Sequence, residues 1–153
     1  MKIIIHGITG KMGQTVYRAA LEFPDIEVAA GVDKHAPEED IGVPVYPNLS
    51  AVPHAADVVI DFSVREALSG LLTAVTAKKL PLVVATTGLT DQDRHMIFQA
   101  SEKIPVLQSA NFSLGINLMY ALARRAASAI GDNWDIEIIE KHHNQKKDAP
   151  SGT

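Results

Sequence analysis

The fold is decided by residues 2–13, which read KIIIHGITGKMG. The run Lys2–His6 is rich in β-branched residues without polar alternation, which is typical of a strand buried on both faces of a parallel sheet. Three glycines follow at G-x-x-G-x-x-G spacing, and the apolar positions of Met12–Phe23 recur at helical spacing until Pro24. Because Glu27–Asp33 is a second apolar run, this opening predicts a β-turn-α-β unit.

The alternation of strands and helices continues beyond the opening. Further strands are expected at Val43–Tyr46, Asp57–Phe62, Leu82–Thr86 and Ile104–Ser109, and further helices at Val64–Lys79 and from Thr90, its cap, to about Lys103. Such alternation predicts the α/β class, with a Rossmann-like doubly wound parallel sheet and helices on both faces.

The regular alternation of buried strands and helices ends at Asn111–Ser113. Leu114–Ile130 is a long, Ala-rich helical pattern, and Trp134–Ile138 alternates apolar with acidic residues, which predicts a strand with one solvated face. We therefore expect a nucleotide-binding domain over residues 1–112, and a hinge with the start of an α+β domain over residues 113–153.

The glycine loop is a variant of the dinucleotide-binding fingerprint. Gly7 allows a tight exit from the strand, Gly10 allows the backbone to approach a pyrophosphate, and Gly13 allows close packing of helix and strand. The N–H groups at the start of the helix then face the anion, with the helix dipole behind them.

The end of the second predicted strand carries the next cofactor candidates. Asp33 is placed to accept hydrogen bonds from a ribose diol, whereas Lys34 beside it suits a 2′-phosphate, so NADH and NADPH both remain open. Lys11 in the loop either reaches a phosphate or is a solvated lysine. His6, at the end of the first strand, is interpreted as a hydrogen-bonded core histidine.

The composition excludes several classes of protein. The net charge of −4 and the pI near 5.8 argue against a nucleic-acid-binding protein. The absence of Cys excludes a disulfide scaffold, a thiolate zinc site and a Cys nucleophile. No apolar run approaches the length of a membrane-spanning helix, and no signal-peptide core is recognisable. We therefore expect a soluble, cytoplasmic domain without membrane or nucleic-acid partners.

A basic loop stands out in this acidic chain. Residues 141–147 read KHHNQKK, and PSGT follows at residues 150–153. One interpretation is a solvated charge run. The other is a receptor for a small dianion, because Ser151 or Thr153 can cap a helix and Gly152 lets backbone N–H groups meet a carboxylate. No metal site is expected, since the two histidines are adjacent and no suitably spaced carboxylate accompanies them.

This loop lies within a segment that identifies a family. Residues 137–153 (EIIEKHHNQKKDAPSGT) closely resemble the signature of the 4-hydroxy-tetrahydrodipicolinate reductases (dihydrodipicolinate reductases), which are NAD(P)H-dependent enzymes of diaminopimelate and lysine biosynthesis. Gly7–Gly13, Ala85–Gly88 and Ser109–Ser113 resemble the cofactor segments of the family in the expected order. The likeness covers the whole chain, and it implies that the substrate domain continues beyond residue 153.

The resemblance also implies a role for each matching position. Asp33 corresponds to the acidic ribose contact, and Lys34 stands where some members have a basic residue. Ala85 replaces a common Gly of the family. The implied pyrophosphate loop is Gly7, Ile8, Thr9, Gly10, Lys11 and Met12; the implied nicotinamide-side and hinge contacts are Ala85, Thr86, Thr87, Ala110, Asn111 and Phe112. The implied catalytic pair is His142 and Lys146, with His143, Gly152 and Thr153 as contacts of the substrate carboxylates.

The implied reaction is the reduction of 4-hydroxy-tetrahydrodipicolinate to tetrahydrodipicolinate by NADH or NADPH. Lys146 is the candidate proton donor, while His142 either stabilises charge or assists proton transfer. Full-length members of the family are typically homotetramers, and we expect residues 1–153 to bind cofactor but to be catalytically incomplete. Two alternatives are a non-catalytic nucleotide-sensing Rossmann domain, which leaves the paired histidines unexplained, and a different NAD(P)H reductase of small acids.

Overall fold

Strands and helices alternate in the computed structural model, which describes residues 1–35, 37, 40–131 and 133–141. The chain divides into two compact units, Met1–Ser109 and Ala110–Thr153. In the described part of the first unit, the strands are β1 (Lys2–His6), β2 (Glu27–Val32), β3 (Val45–Tyr46), β4 (Val58–Asp61), β5 (Leu82–Val84) and β6 (Val106–Gln108), and the α-helices are α1 (Lys11–Ala20), α2 (Leu68–Lys78) and α3 (Asp91–Ser101). Short 3-10 turns cover Leu49–Ala51 and Arg65–Ala67.

All neighbouring strands of the sheet are parallel, in the order β3-β2-β1-β4-β5-β6. The chain builds outward from β1 to β3 on one side and then from β4 to β6 on the other. This confirms the doubly wound sheet predicted from the sequence. The direction of winding reverses between β1 and β4, and ligands of such sheets bind outside the carboxyl ends of the strands at that point.

Side chains of β1 alternate between two hydrophobic clusters on opposite faces of the sheet. Ile3 and Ile5 belong to a cluster that includes Ala20 of α1. Ile4 belongs to the other cluster, with Val75 of α2 and Ile97 of α3. Because both faces of β1 are buried, its sequence needs no polar alternation.

The start of α3 is fixed by the cap expected from the sequence. The Thr90 hydroxyl accepts the Asp93 N–H at 3.3 Å, and the Asp93 carboxylate accepts the Thr90 N–H at 2.8 Å, which together form a capping box. Arg65 Nε also donates to this carboxylate, at 2.5 Å. The hydrogen bonds from Thr90 and then the one from Arg65 lower the pKa of Asp93 to about 2.

The second unit contains α4 (Leu114–Ile130), in agreement with the predicted helix. The Ser113 hydroxyl accepts the Ile116 N–H at 3.4 Å and caps its first turn. The strand predicted at Trp134–Ile138 is wrong, because residues 133–141 contain no strand. A strand needs a neighbour to complete its hydrogen bonds, and no described residue forms a ladder with this segment.

Candidate functional site

A crevice of about 260 Å³ lies at the carboxyl ends of β1, β2 and β4, where the winding of the sheet reverses. Ten residues line it: His6, Gly7, Thr9, Gly10, Asp33, Lys34, Phe62, Ser63, Val64 and Ala67. The first six come from the end of β1, the glycine loop and the end of β2. The structure therefore brings five of the predicted cofactor residues together, namely Gly7, Thr9, Gly10, Asp33 and Lys34.

Close backbone packing shapes the glycine loop. Gly7 has φ +79°, and a Cβ there would lie 2.8 Å from the Ser63 Cα. A Cβ on Gly13 would lie 2.0 Å from the Gly7 carbonyl oxygen, so α1 begins in direct contact with the loop. Both positions therefore require glycine, as the fingerprint predicts.

The first turn of α1 presents backbone donors. Gly10 is the N-cap and offers no side-chain acceptor. Within the part of the chain that the structure describes, the N–H groups of Lys11, Met12 and Gly13 have no protein acceptor, and the first helical bond runs from Gln14 N to Gly10 O at 2.9 Å. Three open N–H groups with the positive end of the helix dipole suit a pyrophosphate.

The side chains of the loop have different exposures. Ile8 is fully buried beside β2, where a Cβ on Gly31 would lie 2.6 Å from Ile8 Cγ2. Only the backbone of Ile8 can therefore face a ligand. Lys11 and Met12 are exposed, and neither lines the crevice.

Asp33 is tied to the glycine loop. Its Oδ2 accepts hydrogen bonds from Thr9 Oγ1 at 2.6 Å and from Thr9 N at 3.1 Å. The backbone N–H of Asp33 donates to Tyr46 O at 2.9 Å. Both the main chain and the carboxylate of Asp33 are thus held at the mouth of the crevice.

A buried carboxylate lies beneath the crevice. Asp61 has no exposed surface. Its Oδ1 lies 2.7 Å from His6 Nδ1 and accepts a hydrogen bond from Ser63 Oγ at 2.6 Å. Its Oδ2 accepts a hydrogen bond from Thr86 Oγ1 at 2.7 Å. Burial alone would raise the pKa of Asp61, but the hydrogen bonds from His6, Ser63 and Thr86, with attraction to His6, hold the pKa below its usual value. His6 is 8% exposed and bonded to this carboxylate, which confirms its interpretation as a hydrogen-bonded core histidine.

The segment after β5 contacts this carboxylate rather than the crevice itself. Thr86 is buried, and its hydroxyl makes the bond to the Asp61 carboxylate described above. Ala85 N donates to the backbone carbonyl oxygen of Asp61 at 2.9 Å, and Thr87 is exposed. None of the three lines the crevice. Asp61 therefore connects the predicted nicotinamide-side segment with the end of β1.

Ala110, Asn111 and Phe112 begin the second unit. There the Asn111 carboxamide oxygen accepts the Ser113 N–H at 2.8 Å, and Asn117 Nδ2 donates to the Asn111 carbonyl at 3.0 Å. These bonds shape the entry into α4.

The predicted catalytic and substrate residues His142, His143, Lys146, Gly152 and Thr153 lie outside the described residues. Within the described ranges, no group of three or more His, Cys, Asp or Glu is arranged to hold a metal. Likewise, no described helix has the length and apolarity needed to cross a membrane.

Comparison with known families assigns both units. Residues 1–112 match the model described as dihydrodipicolinate reductase, N-terminus, and residues 115–153 match that of the C-terminus. The chain belongs to the dihydrodipicolinate reductase family. This assignment agrees with the resemblance seen in the sequence and with the doubly wound sheet.

Curated dihydrodipicolinate reductases match along the whole chain. The 4-hydroxy-tetrahydrodipicolinate reductase of Caldanaerobacter subterraneus subsp. tengcongensis is 50% identical over 153 residues, and that of Clostridium tetani is 42% identical. Each match covers 100% of this chain and 60% of the relative. The chain thus spans about three fifths of the length of these dihydrodipicolinate reductases.

Solved structures agree with this assignment. A dipicolinate-bound dihydrodipicolinate reductase from Paenisporosarcina sp. TG-14 has a TM-score of 0.80 at 29% identity, covering 99% of this chain and 62% of that one. An oxidoreductase from Agrobacterium radiobacter, solved with NAD+, L-tartaric acid and magnesium, has a TM-score of 0.64 at 18% identity, over 83% of this chain and 41% of that one. The second likeness shows the shared fold alone.

Asp61 and Ser63 of this family member were not predicted from the sequence. A signal for Asp61 was present, because an acidic residue that ends an otherwise apolar, buried strand must find hydrogen-bond donors. Ser63, two residues later, supplies two of them, through its N–H at 3.1 Å and its hydroxyl. Neither residue carried a recognisable motif.

Proposed function

We propose that this protein reduces 4-hydroxy-tetrahydrodipicolinate to tetrahydrodipicolinate with NADH or NADPH. The observation that carries the proposal is the crevice at the reversal of the sheet, which is lined by Asp33 and by Gly10, the N-cap of α1, next to the open N–H groups of that helix. The name shared by the curated relatives supports the reaction.

The residues at this end of the crevice and the adjacent start of α1 fit a dinucleotide. The N–H groups of Lys11, Met12 and Gly13 would bind the pyrophosphate, and Asp33 would accept from the adenosine ribose. Lys34 lines the same crevice and would meet a 2′-phosphate if NADPH binds. The remaining proposed contacts are the loop residues Gly7, Ile8, Thr9 and Gly10, the segment Ala85, Thr86 and Thr87, and the hinge Ala110, Asn111 and Phe112.

When bound, the nicotinamide supplies the hydride that reduces the substrate ring after loss of water. The residues of the chain bind the substrate and manage its charge. We assign the substrate carboxylates to His143, Gly152 and Thr153, and the proton that neutralises the reduced ring to Lys146. His142 stabilises the developing charge or assists the transfer of this proton.

The domain division follows from the same proposal. Residues 1–112 form the dinucleotide-binding domain, and residues 113–153 form the hinge and the beginning of the substrate domain. The dipicolinate in the Paenisporosarcina enzyme supports a small dicarboxylate as the substrate class. A homotetramer is the expected assembly of the complete protein, and light scattering of the complete gene product measures it.

The decisive experiment is oxidation of NADH and NADPH by the complete gene product, with and without 4-hydroxy-tetrahydrodipicolinate. Substrate-dependent oxidation is expected. Cofactor binding without turnover would instead indicate a nucleotide-sensing domain, and turnover with a 2-oxo acid such as oxaloacetate alone would indicate a different reductase. Either of these results contradicts the proposal.

A further inference from the structure

We propose that Thr9 is a specificity-determining residue that makes this site favour NADH over NADPH. The inference rests on the proposed function, because it requires the crevice to bind a nicotinamide dinucleotide. Two donors of Thr9, its hydroxyl at 2.6 Å and its N–H at 3.1 Å, converge on one oxygen of Asp33. Hydrogen bonds to an ionised carboxylate are stronger than those between neutral groups.

These bonds leave the carboxylate of Asp33 little freedom to turn. Its backbone is also fixed, because Asp33 N donates to Tyr46 O of β3. Within the described residues, Oδ1 of Asp33 accepts no hydrogen bond, so this oxygen is available to a ribose hydroxyl. Thr9 thus orients the acceptor before the ligand arrives, which lowers the entropy cost of binding a diol.

The same fixed carboxylate opposes a 2′-phosphate. The phosphate of NADPH would bring negative charge to the position where a ribose hydroxyl would otherwise bind Asp33. Like charges held close together repel, and Asp33 cannot rotate away while Thr9 holds Oδ2. Lys34, which is exposed and lines the crevice, provides the opposing attraction. The hydroxyl of Thr9 therefore shifts the balance between Asp33 and Lys34 towards NADH.

The hydrogen bonds within the glycine loop also determine which N–H groups remain free to bind the pyrophosphate. The Thr9 N–H is engaged by Asp33, and the Gly10 N–H donates to Gly7 O at 3.1 Å. The pyrophosphate is therefore left to the N–H groups of Lys11, Met12 and Gly13. Removal of the Thr9 hydroxyl should consequently change recognition of the 2′ position without removing a phosphate donor.

The test is a fluorescence titration of the chain with NADH and with NADPH, which gives the ratio of the two dissociation constants. Thr9→Val removes the hydroxyl at nearly constant shape, and Thr9→Ser restores it. Thr15→Val makes the same change on α1, where the Thr15 hydroxyl donates to Lys11 O at 2.9 Å. We expect Thr9→Val to lower the ratio Kd(NADPH)/Kd(NADH) at least about five-fold, as the loss of a charge-assisted hydrogen bond predicts. Thr9→Ser and Thr15→Val should keep the wild-type ratio within about two-fold.

A double-mutant cycle shows whether Thr9 acts through Asp33. In an Asp33→Asn background the additional effect of Thr9→Val on the ratio should vanish, because the charge that Thr9 orients is gone. An unchanged ratio in Thr9→Val, or an equal effect in both backgrounds, would overturn the role of Thr9 while leaving cofactor binding intact. A wild-type chain that folds, as thermal unfolding reports, but binds neither cofactor would instead overturn the proposed function.

Discussion

The Nδ1 atom of His6 lies 2.7 Å from Oδ1 of Asp61, and this buried contact joins the end of β1 to the end of β4. The two residues are 55 positions apart in the chain and adjacent in the sheet. Ser63 and Thr86 complete the set of donors around the carboxylate. The floor of the crevice is therefore held by an ionised group that receives hydrogen bonds from three segments.

Asp61→Asn should destabilise the fold by about 2 kcal/mol or more, because an amide nitrogen cannot accept and a buried donor loses its partner. Chemical denaturation measures the loss. Asp57→Asn is the matched control, since Asp57 is exposed and its replacement keeps an oxygen for the Lys2 N–H, which now donates to Asp57 at 2.6 Å. A loss at Asp61 no larger than that at Asp57 would contradict the structural role of the buried network.

The free energy of unfolding should fall as the pH is lowered from about 4 towards 2. The pKa of Asp93 is lowered to about 2 in the folded state, so in this window the unfolded state binds the extra proton. Asp61, whose pKa is also lowered, contributes in the same direction. Denaturation midpoints between pH 2 and 5 should show a shallower acid slope for Asp93→Asn than for the wild type. Asp91→Asn, which replaces an exposed carboxylate in the same helical turn, should keep the wild-type slope. A slope unaffected by Asp93→Asn would refute the role of the Asp93 carboxylate in acid unfolding.

Gly13→Ala should destabilise the chain by more than about 2 kcal/mol, because its Cβ would lie 2.0 Å from Gly7 O and backbone must move. Gly70→Ala should be neutral or stabilise by about 0.5 kcal/mol, since Gly70 is exposed in α2 with no atom within 4 Å of an added Cβ. Thermal unfolding of the two variants tests the contrast. Equal stability of the two would show that α1 does not pack against the loop as described.

Gly10→Val should weaken NADH binding at least ten-fold, or about 1.4 kcal/mol. A Cβ at Gly10 would lie 3.3 Å from Gly7 O, a tight contact that requires the loop to shift by a few tenths of an ångström. The valine side chain would then stand at the helix entry that a pyrophosphate needs. Fluorescence titration measures the affinity, with Gly70→Val as the control for a glycine replaced away from the crevice. Wild-type affinity in a folded Gly10→Val chain would reject the pyrophosphate site.

Lys146→Ala in the complete gene product should lower turnover by about two orders of magnitude, in line with the loss of a general acid. NADH binding should change by no more than a few-fold. Lys147→Ala is the neighbouring control and removes the same charge one position away. If both variants lose turnover equally, the loop acts through its net charge, and the assignment of Lys146 as proton donor is wrong.

Local patterns in the sequence predicted the parts of the structure that are local. The run before Gly7 predicted a strand buried on both faces, and Thr90 with Asp93 predicted the start of α3, because these residues satisfy each other within one turn. The alternation at Trp134–Ile138 predicted a strand that the structure lacks, because a strand also requires a neighbour. Pattern alone carries no information about that neighbour.

The candidate site could be predicted only in part for the same reason. The spacing of the glycines and of Asp33 predicted one end of the crevice, since these residues all belong to a single β-α-β unit. The contact of Thr9 with Asp33 spans 24 positions, and that of Thr86 with Asp61 spans 25. Such contacts follow from the register of neighbouring strands, which the sequence does not state directly.

The central position of β1 has a consequence for synthesis on the ribosome. β1 emerges first, yet one of its edges is completed by β2, where Lys2 pairs with Glu27, and the other only by β4, where Ile3 pairs with Val58. Until β4 has left the exit tunnel, an apolar strand keeps an open edge, which is the condition in which nascent chains aggregate or recruit chaperones. The burial of both edges of β1 is therefore limited by translation up to Asp61, whereas the buried network around Asp61 is completed only when Thr86 has followed.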